Sequence, residues 1–336
     1  MKRYDISMNM HIRETKAMLP IMNRKKYPLR LACATITNAI ILMIIAFAGV
    51  SADAAVKQKG FASAEDAVKA AIAAVKSDNN KEVIAIFGAG AKELIYSGDP
   101  IGDKQRRERF IQAFDKKNSL SKEGDKMFLV VGENDWPFPI PLVKKGDQWL
   151  FDTKAGKEEI LNRRIGQNEL FTIQTMLAIV DAQREYAMKD FDGDGILEYA
   201  EKFRSDAGKK NGLYWETKDG EEPSPLGDLV AQARAEGYKQ GGPKNNPVPY
   251  HGYYFRMLNK QGKHATGGAF DYVVKGNQIG GFAIIAYPAT YGNSGVMTFV
   301  VNHDGVVYQK DLGKDSAMIA KAVKAFDTDS TWKKVE

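Results

Sequence analysis

The sequence predicts an α+β protein with a helical N-terminal region carrying a small antiparallel sheet, a long connecting helix, and a C-terminal antiparallel sheet with flanking helices. Three observations carry this prediction. Apolar residues recur at helical spacing in the first segments after residue 60, and strand-like runs with hairpin turns occupy 127–151 and 250–308. A long helical pattern separates the two strand regions. Because helices and strands are segregated along the chain, the class is α+β.

The first 54 residues differ from the rest and predict a secretory signal peptide. A basic segment, Arg24–Arg30, precedes a stretch from Leu31 to Val50 without any charged residue. Ala52-Asp53-Ala54 then supplies the small residues that signal peptidase reads, which predicts cleavage after Ala54. The uncharged stretch approaches the ~20 residues that span a bilayer, so an uncleaved N-terminal anchor is the alternative. We therefore predict an exported protein, periplasmic or secreted, that contacts a membrane only through this segment if it is not cleaved.

Most of the formal charge of +6 belongs to this leader. Subtracting its eight basic and three acidic residues from the totals of 48 and 42 leaves 40 and 39, so the exported chain is nearly neutral. This removes the electrostatic argument for nucleic-acid binding, and no nucleic acid is predicted as a partner. The single cysteine, Cys33, also lies in the leader. Thiol catalysis, CxxC metal sites and disulfides are thus excluded for the exported chain.

Residues 55–156 are predicted to form the N-terminal α+β domain. Its first helix begins at Ser63-Ala64-Glu65-Asp66, where a serine N-cap is followed by acidic residues and an apolar periodicity. Later elements are predicted from helical spacing, alternation and turn residues. They are helices at Lys81–Phe87, Ala91–Tyr96 and Asp103–Lys117, a strand at Met127–Val131, and a hairpin of 141–143 with 149–151.

Residues 157–336 are predicted to hold the long helix, an acidic loop and the C-terminal sheet. The helix runs from Lys157 to Lys189, with Leu170, Leu177 and Val180 on its inward stripe and Gly166 as a break or kink. Charged residues of this helix, among them Glu159, Arg163 and Arg164, are expected to pair on its surface. Later helices are predicted around Glu198–Arg204, at Leu226–Glu236 and from Asp315 to about Phe326. Strands are predicted at Tyr250–Leu258, Phe270–Val274, Phe282–Tyr287, Val296–Val301 and Val306–Tyr308.

The segment from Asp190 to Glu201 matches the twelve-residue calcium loop of an EF-hand. Carboxylates occupy positions 1, 3 and 5, a glycine at position 6 permits the sharp turn, and acidic residues stand at positions 9 and 12. Alternate carboxylates converge in such a loop, and Glu201 would bind from the first turn of the exiting helix. The predicted ligands of one structural Ca²⁺ are Asp190, Asp192, Asp194, Ile196 through its carbonyl, Glu198 and Glu201. An acidic turn between two helices is the alternative, since no second loop of this kind occurs.

No catalytic residue is assigned, because no H-E-x-x-H, G-x-S-x-G or phosphate-binding loop accompanies the histidines of the exported chain. His303 lies in an Asn-His-Asp-Gly turn and is expected to be exposed. His251 lies in an aromatic run that predicts a strand buried on both faces, with a ligand groove as the alternative.

Two functions from different classes fit this sequence. The favoured one is a non-enzymatic binding or structural protein whose partner is an envelope protein or a small ligand. The alternative is a hydrolase of an envelope polymer that uses carboxylates such as Glu169, Asp271 and Asp304, brought together only by the fold. The absence of linear catalytic motifs favours the first.

Several long segments of the chain resemble the bacterial family called domain of unknown function 2950. They are FASAEDAVKA, WPFPIPLVKKGDQWLFDT, AGKEEILNRRIGQNEL, DGDGILEYA, PYHGYYFRML and GFAIIAYPATYGNSGVMTFVVNHDGVVYQKDLG. The resemblance extends from about Phe61 to Glu336 and implies an exported bacterial protein, with no activity or catalytic residue to transfer. The C-terminal half is also similar to the head domain of type II secretion pseudopilins. The apolar leader is separated from the long helix, which departs from the pseudopilin pattern.

Overall fold

The computed structural model describes residues 57–88, 90–238 and 247–335, and the predicted signal peptide lies outside them. The chain from Ala52 to Glu336 forms one compact unit. Its α+β architecture confirms the predicted class. None of the helices in the described ranges is long and apolar enough to cross a membrane.

The N-terminal part packs helices against one antiparallel sheet. Its helices are α1 (Ala64–Lys76), α2 (Asn80–Phe87), α3 (Ala91–Ile95) and α4 (Pro100–Lys116). Its strands are β1 (Asn118–Glu123), β2 (Lys126–Val131), β3 (Trp136–Pro137), β4 (Leu142–Lys145) and β5 (Gln148–Phe151). The sheet order is β1-β2-β4-β5, with β3 also paired to β2. The predicted helices and the β4–β5 hairpin are confirmed.

Local capping explains where several of these helices begin. Ser63 and Asn79 accept the backbone N–H of the third residue after them, at Asp66 and Glu82. Such side chains satisfy donors that the first helical turn leaves free. The sequence did not predict β1, because its side chains are mostly exposed and carry no apolar alternation. It pairs with β2 along its whole length.

The long helix α5 (Thr153–Tyr186) differs from its prediction in two respects. It continues through Gly166 without a break, since a glycine lowers helix propensity but does not prevent a helix. Leu170 and Leu177 are 59% and 41% exposed, so the predicted stripe is wrong at both positions. The buried face changes along α5, because its first half packs on the N-terminal helices and its second half on the C-terminal sheet. The predicted domain boundary at 156/157 lies inside this helix.

The C-terminal part surrounds a five-stranded antiparallel sheet in the order β12-β11-β10-β9-β6. Its elements are α6 (Gly227–Ala235), β6 (Tyr253–Leu258), β7 (Lys260–Gln261), β8 (Phe270–Asp271), β9 (Ala283–Pro288), β10 (Met297–Asn302), β11 (Tyr308–Asp311), α7 (Ser316–Ala322) and β12 (Lys333–Lys334). Strands β7 and β8 form a separate pair. The predicted central strands are confirmed, with ends shifted by a few residues.

The short helix predicted around Glu198–Arg204 does not form. The Tyr199 N–H donates to the Gln278 carbonyl at 3.0 Å, and the Lys202 carbonyl accepts from the Leu213 N–H at 3.1 Å. Arg204 forms a parallel bridge with Tyr214. These backbone groups are satisfied by distant partners, so the helical hydrogen bonds are not made.

The C-terminal sheet is buried on both faces. Along β9, Ile284 and Ala286 join a central core with the second half of α5, whereas Ala283, Ile285 and Tyr287 join a core beneath α7. All six residues of β9 are buried, as a strand covered on both faces requires. A third core lies between α1, α2 and the N-terminal sheet.

Candidate functional site

Three aspartates converge in the loop that follows α5. One carboxylate oxygen from each of Asp190, Asp192 and Asp194 lies within 4.8 Å of the others, and all three residues are exposed. Gly193 and Gly195 have φ values of 80° and 86°, a left-handed conformation that glycine adopts without steric cost. These glycines let the chain fold back on itself so that alternate aspartates face one point. Carboxylate oxygens are the kind of ligand that a hard divalent cation such as Ca²⁺ takes.

Hydrogen bonds fix the shape of this loop. The two oxygens of Asp190 accept the N–H groups of Gly193 at 2.7 Å and Gly195 at 2.9 Å. Asp194 accepts the Ile196 N–H through Oδ1 at 2.8 Å and the Asn277 side-chain amide through Oδ2 at 3.0 Å. The loop is therefore attached to the segment that precedes β9.

The loop carries a concentration of unneutralised negative charge. Among the residues that the structure describes, none of the five carboxylates of 190–201 takes part in an ion pair with lysine or arginine. Burial and the neighbouring Asp194 charge raise the pKa of Asp192. Backbone donors from Gly195 and Gly193 lower the pKa of Asp190. The raised pKa of Asp192 shows that its charged form is disfavoured here, and a cation would remove that penalty.

Glu198 and Glu201 are not part of the three-aspartate group. Glu198 accepts the backbone N–H of Gln278 at 2.6 Å, and its pKa is raised, mainly by burial. Glu201 lines a cavity with Arg256 and Gln278, and the helix from which it would reach the cation does not form. Ligation by Ile196, Glu198 and Glu201 stays a prediction.

The carboxylates considered for hydrolysis occupy three different elements. Glu169 on α5 accepts the N–H groups of Val296 and Met297, both at 2.9 Å, which is a structural use of its charge. Asp271 is exposed on β8, and Asp304 accepts from Asn302 in the turn after β10.

Two histidines differ from their predictions, His303 in its exposure and His251 in its place in the chain. His303 is only 29% exposed, because its ring packs at 5.7 Å from Tyr272 and beside Gly281, so the expectation of an exposed histidine is wrong. His251 lies in the turn before β6, with a φ of 46°, rather than in the strand itself. Its ring stacks on Phe171 of α5 with centroids 4.3 Å apart.

A buried polar network around Asp99 was not predicted from the sequence. Asp99 is 1% exposed and caps α4 by accepting the Gly102 N–H at 3.0 Å. Its Oδ2 also accepts the Tyr238 hydroxyl at 2.7 Å and the Gly252 N–H at 2.9 Å. His251 completes the network, with Nε2 3.0 Å from Glu236 Oε2. Its members are far apart in sequence, so no spacing pattern could indicate them.

This network makes the stability of the protein sensitive to mild acid. Burial lowers the pKa of His251, and this outweighs the opposing effects of Glu236 and Asp99. The pKa of this histidine is near 6.5 in the unfolded chain and lower in the folded chain. At pH values between these two pKa values, the unfolded chain therefore binds more protons than the folded chain. We expect the free energy of unfolding to fall as the pH drops below 6.5, and His251→Gln to reduce this loss. Urea titrations between pH 7.5 and 5 measure it.

His264→Gln is the control for this experiment, because the side chain of His264 is 45% exposed beside Asp327. The stability of the H264Q variant should still fall below pH 6.5, because His251 is unchanged in it. An H251Q variant whose stability falls as steeply as that of the wild type would contradict the assignment.

Comparison with known proteins adds one match. Residues 58–335 match the model of the family described as protein of unknown function (DUF2950). No curated protein matches the chain. No solved structure matches it either, and the resemblance to pseudopilin heads stays a prediction. Since the family model covers nearly all of the described chain, this protein belongs to the DUF2950 family.

Proposed function

We propose that this protein is an exported, non-enzymatic binding protein whose acidic loop holds one structural Ca²⁺. The observation that carries the metal assignment is the convergence of Asp190, Asp192 and Asp194 within 4.8 Å. The absence of ion-pair partners for these carboxylates among the described residues supports it. The leader of 54 residues supports export, to the periplasm or beyond.

The connections of the loop favour a structural role for the cation. The loop begins just after the end of α5 and is hydrogen-bonded through Asp194 and Glu198 to Asn277 and Gln278, shortly before β9. A bound cation would hold these two segments together. Outside the cytoplasm, where calcium-binding modules have dissociation constants on the order of 10⁻⁴ to 10⁻³ M, occupancy would be steady rather than signalling.

Thermal unfolding of the mature chain in 10 mM CaCl₂ and in chelator tests the assignment. At about 10 to 100 times such a dissociation constant, binding to the folded state alone stabilises it by about 1.4 to 2.7 kcal/mol. We expect the thermal midpoint to rise by several degrees with Ca²⁺ and by less with Mg²⁺, which demands a more regular octahedral site.

Asp192→Asn should remove most of this calcium effect, because the amide keeps an oxygen but loses the charge. Asp219→Asn makes the same change of net charge at an exposed site elsewhere and should keep the whole effect. A midpoint that does not respond to millimolar Ca²⁺ in the wild type would refute the metal assignment.

A further inference from the structure

An apolar cavity of about 300 Å³ lies among α1, α2, α4, α5 and the N-terminal sheet. Val68, Val75, Phe87, Phe110, Leu129 and Phe138 are among the residues that line it. A cavity of this size with an apolar lining and a few polar groups is typical of a small-molecule site. At roughly 30 Å³ per methylene, about the share of liquid volume that one water occupies, it accommodates about ten carbons.

Four arginines also line this cavity: Arg106, Arg107, Arg163 and Arg164. Three of them have a carboxylate partner. The contacts are Arg106 with Asp103 at 2.6 Å, Arg107 with Asp78 at 3.0 Å, and Arg163 with Glu159 at 2.6 Å. These three side chains are 23%, 27% and 50% exposed, so they mark the side of the cavity that faces solvent.

Arg164 differs from the other three because it is buried and its charge is not neutralised. The residue is 5% exposed. Its terminal nitrogens donate to neutral groups only, the carbonyls of Glu93 and Leu94 and the side-chain oxygen of Asn293, and its Nε has no acceptor. Burial and the nearby Arg106 lower its pKa to about 10. A buried cation without a counter-ion is costly, and an anion beside it would offset that cost.

We propose that this cavity binds one single-chain fatty-acid anion, with the alkyl chain among the apolar side chains and the carboxylate at Arg164. The apolar lining requires an alkyl chain of moderate length. The four arginines and their three carboxylate partners leave one positive charge in excess. This excess requires an acidic head group. This inference rests on the proposed binding role and names its ligand class. It is independent of calcium, so the two proposals can fail separately.

Titration calorimetry with three ten-carbon probes tests the proposal on the unmodified mature protein. The probes are decanoate, decanol and decyltrimethylammonium, each below its micelle concentration. We expect decanoate to bind with one-to-one stoichiometry and at least about tenfold more tightly than decanol, because a charge-assisted hydrogen bond is stronger than a neutral one. The ammonium probe should bind more weakly still. Absence of decanoate binding, or equal binding of the three probes, would overturn the proposal.

Two variants locate the site. Val75→Phe adds bulk at a partly buried position that lines the cavity and should abolish decanoate binding, whereas Ala73→Phe, on the exposed face of the same helix, should not. Arg164→Met should reduce decanoate affinity to about that of decanol, while decanol still binds, which reports that the cavity persists. Circular dichroism checks that each variant is folded. If folded V75F bound decanoate with wild-type affinity, the ligand would lie elsewhere, and this result would contradict the assignment.

Discussion

Replacing Asp99 with alanine is expected to lower the free energy of unfolding by about 3 to 7 kcal/mol, because the donors around this buried carboxylate lose their acceptor. Three donors lose their acceptor: the Gly102 N–H, the Gly252 N–H and the Tyr238 hydroxyl. Loss of the helix cap at Gly102 costs about 1 kcal/mol, and each of the other two buried donors left unsatisfied costs about 1 to 3 kcal/mol. Urea denaturation at pH 7.5 measures the change.

Asn79→Ala separates the cap from the network. The side chain of Asn79 caps α2 at an exposed position, where its Oδ1 accepts the Glu82 N–H at 3.1 Å. Its loss should cost about 1 kcal/mol. If D99A were no more destabilising than N79A, the bonds of Asp99 to Tyr238 and Gly252 would contribute nothing measurable to stability.

Gly156→Ala is expected to destabilise the protein by at least about 3 kcal/mol, at the upper end of the cost of overpacking a core. Gly156 lies in the first turn of α5, where a Cβ would stand 2.2 Å from the Pro139 carbonyl oxygen and 2.6 Å from the Ile140 nitrogen. Both are backbone atoms, so no side-chain rotation can relieve the clash. The start of α5 or the 139–140 segment must move, which should appear as a lower thermal midpoint.

Gly166→Ala in the same helix is the matched control. A Cβ at Gly166 would meet nothing within 4 Å. Alanine has the higher helix propensity by about 0.8 to 1 kcal/mol, so this variant should be more stable than the wild type. Equal effects of G156A and G166A would show that the close approach of α5 to residues 139–140 is not present in solution.

The sequence predicts well the elements whose causes are local. The N-cap at Ser63 and the apolar spacing that follows it determine α1 within a few residues. The spacing of Asp190, Asp192 and Asp194 likewise predicts their convergence, because a tight loop brings alternate side chains together whatever surrounds it.

Features that depend on distant partners were missed or mispredicted. The segment after Glu198 has a helical pattern, but its backbone hydrogen bonds are taken by Gln278 and Leu213. Arg163 pairs with Glu159 on the helix surface as expected, whereas Arg164 beside it is buried by α3 and by Asn293. Two neighbouring arginines thus have different environments, because the packing of the whole chain determines which of them is buried.

The double-sided burial of β9 also constrains how the protein reaches its folded state. The run Ala283–Tyr287 has no charged residue and no proline, and short apolar segments of this kind pair readily with copies of themselves while unprotected. The two faces of β9 are covered by elements that are distant in sequence, because α5 packs on one face and α7 on the other. A chain synthesised only as far as β9 already contains its neighbour β6 but lacks α7 and its other neighbour, β10. Both faces of β9 are therefore covered only once the chain has been synthesised through α7.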